Sequence, residues 1–418
     1  MAKSNSTHKC SFCGKKIPPH ELLICGQDGS AICEFCSYEV FEIFRLKDES
    51  GNPKKEQENN TPTFSKLYRP IDIKKYLDNY VIGQDEAKRV IAVAVYNHYK
   101  RIMHPPKNED DVDIDKSNVI LLGDTGTGKT LMARTIARLL EVPFCIADAT
   151  VFTEAGYVGE DVESILSRLL QAANYNLPKA EMGIVFIDEI DKIARKGADN
   201  PSITRDVSGE GVQQALLKLL EGSIVNVPPQ GGRKHPEQEF IKVNTKNILF
   251  IASGAFNNMD KIIAGRLNTN VIGYNARNCK IDTDDFLRHI TAQDIKQFGL
   301  IPELCGRFPV ITSMQKLTRD DLKRILTEPK NALIKQYIYL FALDKKNLVF
   351  SPEALDFVVD KAIELGLGAR GLRSIVEKIM TNLMYESPSS TKKEVILTLD
   401  YAKTQFENAK TAKEPSLF

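Results

Sequence analysis

Residues 119–130 read Val119-Ile-Leu-Leu-Gly-Asp-Thr-Gly-Thr-Gly-Lys-Thr130, and this stretch decides the fold of the larger part of the chain. Its apolar half predicts a strand buried on both faces, and the rest fits the phosphate-binding pattern G-x-x-x-x-G-K-[ST]. Between a strand and a helix, such glycines let backbone N–H groups surround phosphate oxygens at a helix N-terminus. The stretch therefore predicts an α/β fold with a parallel sheet and a nucleotide site.

The loop and the first turn of the following helix supply the candidate phosphate contacts. Lys129 is expected to neutralise the β- and γ-phosphates of ATP, and Thr130 is expected to bind Mg²⁺. The predicted contacts are consecutive in the chain: Asp124, Thr125, Gly126, Thr127, Gly128, Lys129, Thr130 and Leu131. We therefore predict ATP and Mg²⁺ as cofactors.

A second apolar run, Ile184–Ile187, ends in the acids Asp188 and Glu189. A buried strand that ends in two acids is a Walker B element, in which Asp188 holds the Mg²⁺ shell and Glu189 polarises the attacking water. Alone the pair is a weak signal, because two acids also begin many solvated helices. With the phosphate loop before it the signal is strong, and an adjacent acid as the base favours an ATPase of the AAA+ type.

Two arginines are candidates for stabilising the transferring phosphate. Arg307 lies in the segment 299–308, at the end of the α/β part, and Arg370 lies in 366–373, in the helical part. Phosphoryl transfer needs positive charge where the γ-phosphate oxygens accumulate negative charge. Taken alone, either arginine is more often a helix cap or part of a surface ion pair.

Near the N-terminus, two C-x-x-C pairs predict a four-cysteine zinc site. The predicted ligands are Cys10, Cys13, Cys33 and Cys36. Because all four positions of a zinc tetrahedron are filled, the role is expected to be structural, with a binding free energy of ~10–16 kcal/mol that can hold a small domain together. Cys25, between the two pairs, is left out as a packing residue.

Composition limits the classes of function. The 418 residues carry a formal net charge of +1, so no overall basic field argues for nucleic acid or for an anionic membrane. No stretch reaches the roughly 18 apolar residues that span a bilayer, and residues 1–9 do not resemble a secretory signal. We expect a soluble, cytoplasmic protein, in which paired cysteines favour metal over disulfides.

Composition and periodicity divide the chain into five predicted segments. They are a zinc-binding unit at 1–46, a flexible linker at 47–63, a large α/β ATPase domain at 64–315, a small helical domain at 316–405 and a tail at 406–418. In the small domain, Thr318 with Asp321 predicts a capping box, and Ser351 before Pro352 predicts another helix start. A strand at Val395–Leu399 is expected to close that domain.

With these motifs in place, the chain resembles the ClpX family of AAA+ unfoldases along its whole length. The resemblance implies a homohexamer that uses ATP to unfold tagged proteins, disassembles complexes, and feeds the ClpP peptidase. It also implies that Arg307 is an arginine finger acting across a subunit boundary and that Arg370 is sensor 2 in its own subunit. Val81-Ile-Gly-Gln84 matches the family's segment near the adenine, with Val81 and Ile82 as the candidate contacts, and the sensor-1 position falls near Ser253.

Three segments match the loops with which the family grips polypeptide. Tyr157 and Val158, between glycines, would form a mobile apolar paddle that pushes on a chain without reading its sequence. Residues 198–211 match the second loop. The third loop carries basic groups that would attract acidic or carboxylate-bearing tags: Arg233, Lys234 and His235. Outside an ATPase, the first segment is more simply a surface turn with a buried tyrosine, the second an ordinary loop that leads into a helix, and the third a solvated hairpin tip.

Two further features concern partners. Ile272, Gly273 and Tyr274 occupy the place of the family's I-G-F tripeptide, which docks on ClpP. Tyr274 keeps the area of the phenylalanine ring and adds a hydroxyl that needs a hydrogen-bond partner. By the same resemblance, the cysteine unit dimerises and receives adaptor proteins or substrates. No proteolytic centre is visible, so peptide cleavage is expected from the partner.

Two other functional hypotheses stay open at this point. A AAA+ nucleic-acid motor, of the helicase or clamp-loader type, would use the same ATPase core. The paddle residue Tyr157 and the near-zero net charge disfavour it, and a nucleic-acid partner is not expected. A non-enzymatic zinc scaffold with an inactive phosphate loop is disfavoured because Lys129, Thr130, Asp188 and Glu189 are all present.

Overall fold

The computed structural model describes residues 8–17, 23–25, 30–33, 36–37, 67–106, 108, 111–153, 160–195, 209–228, 240–269 and 286–411. Contacts divide the chain into two units, Met1–Thr61 and Pro62–Phe418. Within the described ranges, no helix combines the length and apolar character that crossing a membrane requires.

The first unit is built from two small antiparallel ladders. Strand β1 (His8–Lys9) pairs with β2 (Lys16–Ile17), and β3 (Leu23–Cys25) pairs with β4 (Ala31–Cys33). The described core consists of cysteine side chains with Ile32 packed against them. So small an apolar core rarely holds a domain together without a staple such as a metal.

The second unit contains a five-stranded sheet, a hairpin, a two-stranded ladder and the helices that cover them. Its strands are β5 (Val119–Leu122), β6 (Phe144–Asp148), β7 (Ile184–Asp188), β8 (Ile224–Val227), β9 (Ile241–Asn244), β10 (Leu249–Gly254), β11 (Val310–Ser313), β12 (Asn347–Phe350) and β13 (Glu394–Leu397). Its α-helices are α1 (Pro70–Asp78), α2 (Asp85–Met103), α3 (Lys129–Leu140), α4 (Ser164–Ala172), α5 (Leu177–Ala180), α6 (Glu210–Glu221), α7 (Met259–Thr269), α8 (Ala292–Phe298), α9 (Pro302–Gly306), α10 (Arg319–Thr327), α11 (Leu333–Leu343), α12 (Pro352–Glu364), α13 (Gly368–Glu386) and α14 (Leu399–Thr411). Short 3-10 turns lie at Ala149–Val151, Ile190–Ile193, Thr245–Asn247, Phe286–His289 and Ser387–Ser389.

The large sheet has the strand order β11-β5-β10-β7-β6, and every neighbouring pair is parallel. Along each strand the side chains alternate between two cores. Val119 and Leu121 face the core formed with α1, α2 and α3, whereas Ile120 and Leu122 face the core formed with α4, α6 and α7. Burial on both faces explains why these strands are almost purely apolar, and the predicted parallel α/β fold is confirmed.

The helical part has its own core, to which α10–α14 and the parallel pair β12–β13 contribute. The capping box at Thr318 and Asp321 is present, and Ser351 caps α12 through the backbone N–H of Ala354. The predicted helical C-terminal domain is therefore confirmed.

The end of this part differs from the prediction that a strand at Val395–Leu399 closes the domain. The strand ends at Leu397, and α14 follows it and runs to Thr411. Its Ala402 and Phe406 are buried in the helical core, so the tail predicted from residue 406 begins inside a helix. The stretch also contains Leu399 and Tyr401, and Leu399, Ala402 and Phe406 have helical spacing, so this pattern was present in the sequence and the prediction missed it.

Candidate active site and metal centre

The carboxyl ends of the parallel strands meet at one edge of the large sheet, where ligands bind in open α/β sheets. Gly254 of β10 lies opposite Leu122 of β5, and Ala252 lies opposite Ile187 of β7. The phosphate loop begins directly after Leu122, and Asp188 ends β7. The topology thus places the loop, the acids and the end of β10 side by side.

The glycines of the loop allow close backbone packing. Gly126 has a φ of +88°, a region that residues with a Cβ rarely adopt, and a Cβ there would lie 3.5 Å from the backbone nitrogens of Ala369 and Arg370. The loop therefore touches the start of α13 as well as leading into α3. Both helices direct their N-termini, with their partial positive charge, toward the loop, which favours a polyanion there.

Lys129 is buried at the start of α3, where its ammonium is held by the loop itself. Its Nζ donates to the carbonyl of Gly123 at 2.5 Å and to the carbonyl of Asp124 at 2.9 Å. Burial lowers the pKa of Lys129, while the carboxylates of Asp188 and Asp191 oppose that shift. A desolvated ammonium that donates to neutral carbonyls interacts strongly with phosphate oxygens.

Asp188 joins three neighbouring segments. One carboxylate oxygen accepts from Thr130 Oγ1 at 3.4 Å, and the other accepts from Ser253 Oγ at 2.5 Å and from the backbone N–H of Glu189 at 3.1 Å. Hydroxyl and carboxylate oxygens are the ligands that Mg²⁺ prefers. Thr130 and Asp188, the two predicted magnesium ligands, thus lie together and fit that ion.

Glu189 has an exposed side chain and a left-handed backbone, with a φ of 56°. Such a conformation costs free energy in a residue with a Cβ and occurs often at functional sites. Behind it, buried Asp191 accepts the backbone N–H of Ala255 at 3.2 Å and so fixes the end of β10 against the turn after β7. Glu189 is thereby held at the edge where a water could attack a bound phosphate.

Arg307 lies away from this edge. Asn118, directly before β5, donates to the carbonyl of Arg307 at 2.9 Å, and the Arg307 guanidinium donates to Glu221 at 2.8 Å. The phosphate loop follows the opposite end of β5, a strand of four residues that spans roughly 13 Å. The structure therefore brings Lys129, Thr130, Asp188, Glu189 and Arg370 to one edge and leaves Arg307 at the other.

The predicted adenine segment lies between α1 and α2. Val81 and Ile82 are buried, and Val81 Cγ1 would lie 3.7 Å from a Cβ placed on Gly128 of the phosphate loop. Buried Lys88 donates to the Val81 carbonyl at 2.6 Å and to Asp78 at 2.7 Å, which fixes the segment. A cavity runs along it to the helical part, lined there by Arg324, Glu328 and Lys330. A base beside the phosphates fits this place.

The four predicted zinc ligands form a tight cluster in the first unit. Their sulfur atoms all lie within 4.8 Å of one another, and those of Cys13 and Cys33 are 3.8 Å apart. Four sulfurs at the usual Zn–S distance of about 2.3 Å are separated by about 3.8 Å. A backbone hydrogen bond from Cys13 lowers the pKa of Cys10 to about 6, and burial raises that of Cys36 to about 12. A bound cation offsets that burial by favouring thiolates.

Family models match both parts of the second unit. The model described as "AAA domain (Cdc48 subfamily)" matches residues 114–311, and the model described as "C-terminal, D2-small domain, of ClpB protein" matches residues 317–397. The first match ends within β11, and the second begins shortly before α10.

Curated relatives match almost the whole chain. A protein of Bacteroides fragilis named ATP-dependent Clp protease ATP-binding subunit ClpX is 60% identical over 416 residues, which cover 99% of both chains. The chain belongs to the ClpX family. Proteins of the same name from Bacteroides thetaiotaomicron and Treponema denticola are 59% identical over 99% of both chains and 52% identical over 93% of this chain and 92% of theirs. As a ClpX-family member the chain is an AAA+ ATPase and not itself a protease, as predicted.

Several residues predicted from the ClpX resemblance lie outside the described part of the chain, and their roles stay predictions. They are Tyr157, Val158, residues 198–208, Arg233, Lys234, His235, Ile272, Gly273 and Tyr274. The chain segments on either side of the basic loop form β8 and β9, which pair as an antiparallel ladder.

Sequence reasoning located Ser253 only approximately and missed Asp191. Both become recognisable once β10 is known to lie beside β7, because their side chains then meet the ends of those strands. One available signal was a hydroxyl near the end of a strand that is otherwise apolar, since such a group needs a partner.

Proposed function

We propose that the chain is an ATP-dependent unfoldase and translocase that works as a homohexamer and delivers unfolded chains to the ClpP peptidase. Membership of a family whose relatives are named as ATP-binding subunits of a Clp protease supports the coupling to a peptidase. The observation that supports a ring-shaped homohexamer is the separation of Arg307 from the phosphate loop of its own chain. The proposal also covers disassembly of protein complexes.

Within one subunit, the residues at the sheet edge bind and orient the nucleotide. Lys129 and the backbone of residues 124–131 hold the phosphates, and Thr130 with Asp188 holds Mg²⁺. When bound, Mg²⁺ neutralises charge on the β- and γ-phosphates. Glu189 accepts a proton from the attacking water, and Arg370, at the start of α13, lies where it can sense the γ-phosphate. Val81 and Ile82 contact the base.

The γ-phosphate needs a further positive charge during transfer, and we assign Arg307 to supply it to a neighbouring subunit. The Arg307 side chain is about half exposed. Glu221, with which it forms an ion pair, is also about half exposed. An arginine supplied from a neighbour typically accelerates phosphoryl transfer by 10³–10⁵-fold. Such an arrangement makes hydrolysis depend on a closed ring, since every site then receives its arginine.

The mechanical output is assigned to loops that face a central pore. Tyr157 and Val158 would grip the polypeptide, while Arg233, Lys234 and His235 would attract acidic or carboxylate-bearing tags. Ile272, Gly273 and Tyr274 would dock on ClpP. The four-cysteine cluster would hold one structural zinc ion, and its unit would receive adaptors or substrates.

A degradation assay tests this proposal. The protein is mixed with Mg·ATP, ClpP and a fluorescent protein carrying a degradation tag, and loss of fluorescence is followed with ATP hydrolysis. We expect ATP-dependent loss of fluorescence, which Tyr157→Ala abolishes while hydrolysis continues. Tyr175→Ala, which removes an exposed tyrosine of the same domain, is the matched control. Hydrolysis without any unfolding, or hydrolysis stimulated by DNA or RNA and weakened by salt, would contradict the proposal.

A further inference from the structure

The side-chain amide of Gln84 makes two reciprocal hydrogen bonds with the backbone of one distant residue. Its Nε2 donates to the carbonyl of Gln315 at 2.9 Å, and its Oε1 accepts the backbone N–H of Gln315 at 2.7 Å. This paired geometry resembles one rung of a β-ladder, and it fixes both the distance and the orientation of residue 315. The amide is buried, with only 3% of Gln84 exposed, so water competes little for these bonds.

The backbone of Gln84 is in the left-handed region, with a φ of 60°. Glycine or asparagine is the usual choice there, and a long side chain is uncommon. The carbonyl of Gln84 accepts the N–H of Lys88, so the residue also begins α2. A glutamine at this strained position indicates that the side chain, and not only the turn, has a function.

Gln315 begins the connection between the α/β part and the helical part. The preceding residue, Met314, is held by a backbone hydrogen bond of 2.7 Å to Leu122, and a Cβ on Gly123 would lie 2.8 Å from its Cβ. The helical part starts three residues after Gln315, at the cap Thr318. Residues 316 and 317 thus remain between a fixed residue and a capped helix.

Gln84 is the last residue of the segment Val81-Ile-Gly-Gln84, so only Gly83 separates it from the proposed base contacts Val81 and Ile82. We propose that Gln84 is a positioning residue that ties this base-binding segment to the connection at Gln315, and that it thereby holds the helical part, with Arg370, over the phosphate loop. The inference rests on the proposed nucleotide site. A base that orders the segment at 81–82 restricts residue 315 as well, so the two domains are confined to the orientation in which α13 contacts the loop.

The first test separates the amide from the strained backbone. Gln84→Gly removes both hydrogen bonds but suits the left-handed φ, so the variant is expected to fold and to melt within a few degrees of the unsubstituted protein. We expect its affinity for a fluorescent ATP analogue to fall about tenfold, because the binding-competent orientation becomes a minor population.

Gln315→Ala is the matched control. Both bonds use the backbone of residue 315, so the alanine variant keeps them, and its affinity should stay within about twofold of the unsubstituted protein. If Gln315→Ala is as damaging as Gln84→Gly, or if Gln84→Gly binds and hydrolyses ATP normally, the amide is not the operative contact and the inference is overturned.

Gln84→Glu gives a readout that a purely structural role would not change. A protonated carboxyl can reproduce both bonds, whereas a carboxylate is repelled by the carbonyl oxygen of Gln315. The ratio of variant to unsubstituted affinity should therefore rise as the pH falls from 8 toward about 5.5, and a flat ratio overturns the inference. The charged groups around this position are Asp85 and Lys88 of α2, Asp321 of α10, and Arg288, which faces the Gln315 side chain.

The nucleotide measurement itself shows which claim fails. If the unsubstituted protein does not bind the analogue, the proposed site falls and the inference falls with it. If it binds normally and the Gln84 variants match it, the site stands and only the role of Gln84 is overturned.

Discussion

Ser253 Oγ lies 2.5 Å from a carboxylate oxygen of Asp188, so the ends of β10 and β7 are joined by a direct hydrogen bond. A second oxygen of Asp188 contacts Thr130 of the helix that follows the phosphate loop. The hydroxyl of Ser253 thus orients the carboxylate that is proposed to hold the magnesium shell. Loss of such a hydrogen bond to a metal ligand typically lowers metal affinity or activity by about 10–100-fold.

Ser253→Ala is expected to bind ATP with nearly normal affinity and to hydrolyse it at least tenfold more slowly, because Asp188 loses its orienting partner. The measurement is steady-state hydrolysis together with nucleotide affinity. Thr404→Ala removes an exposed hydroxyl that donates to the Asp400 carbonyl of the same helix, and it should change neither quantity. Unaltered hydrolysis in Ser253→Ala would show that the hydrogen bond has no part in turnover.

Glu189→Gln is expected to bind ATP and to stall, with turnover reduced at least ~100-fold, the usual contribution of a general base. Glu141→Gln is a close control, because Glu141 is also exposed and left-handed but lies at the end of α3. Rates are measured at saturating Mg·ATP. Near-normal turnover in Glu189→Gln would remove Glu189 from its assigned role.

Two inactive variants should restore activity when mixed. Arg307→Ala keeps its phosphate loop and lacks the finger, whereas Lys129→Ala lacks nucleotide binding and keeps the finger. In a randomly mixed ring, roughly a quarter of the interfaces combine an intact loop with an intact finger, so hydrolysis should reappear. If mixtures stay as inactive as the separate variants, Arg307 does not act across a subunit boundary.

Cys13→Ser is expected to lose the zinc that the unsubstituted protein should contain at one ion per chain, while ATP hydrolysis persists because the ATPase residues belong to the other unit. Metal content is measured after dialysis. Cys305→Ala, which changes a buried cysteine of the second unit, should retain the metal. A full complement of zinc in Cys13→Ser would exclude the four-sulfur site.

Because His98 is buried, we expect the free energy of unfolding to fall in acid. Burial lowers the pKa of His98 to about 3, whereas an unfolded histidine titrates near 6.5. Between these values the unfolded chain binds a proton that the folded chain does not. The neutral imidazole of His98 therefore makes its full contribution to the free energy of unfolding above pH 6.5. Below that pH the free energy of unfolding falls by up to about 1.4 kcal/mol per pH unit.

Urea denaturation at pH 7 and pH 5 checks this prediction. The drop in stability between the two should be smaller in His98→Gln, which can still donate to the Asn247 carbonyl that His98 contacts at 3.0 Å. His104→Gln, at an exposed position, should behave as the unsubstituted protein. Equal drops in His98→Gln and the unsubstituted protein would contradict the assignment.

The sequence predicts the sheet and the phosphate loop well because both have local signatures. Parallel strands that are buried on both faces have almost purely apolar sequences. The phosphate loop is rich in glycine because its backbone must approach the phosphates closely. Val119–Leu122 and Ile184–Asp188 consequently lie where the pattern placed them. The same holds for the capping box at Thr318, whose two hydrogen bonds involve residues only three positions apart.

Features that depend on distant contacts were not predictable. Gln84 and Gln315 are separated by 231 positions, and no local pattern relates them. The left-handed backbone of Glu189 and the position of Ser253 depend on which strands are neighbours. α14 was missed because its apolar spacing alone does not show that the core formed by α10–α13 buries it.

Strand β11 connects Arg307 at one end to Gln315 at the other. Its four residues are hydrogen-bonded along β5, so the strand is stiff along its axis and cannot lengthen without losing those bonds. We therefore expect an axial displacement at Arg307, the proposed finger, to be transmitted along β11 to Gln315, the residue that Gln84 contacts. In a ring, β11 of each subunit would thus link the nucleotide site of a neighbouring subunit to the connection between the α/β part and the helical part.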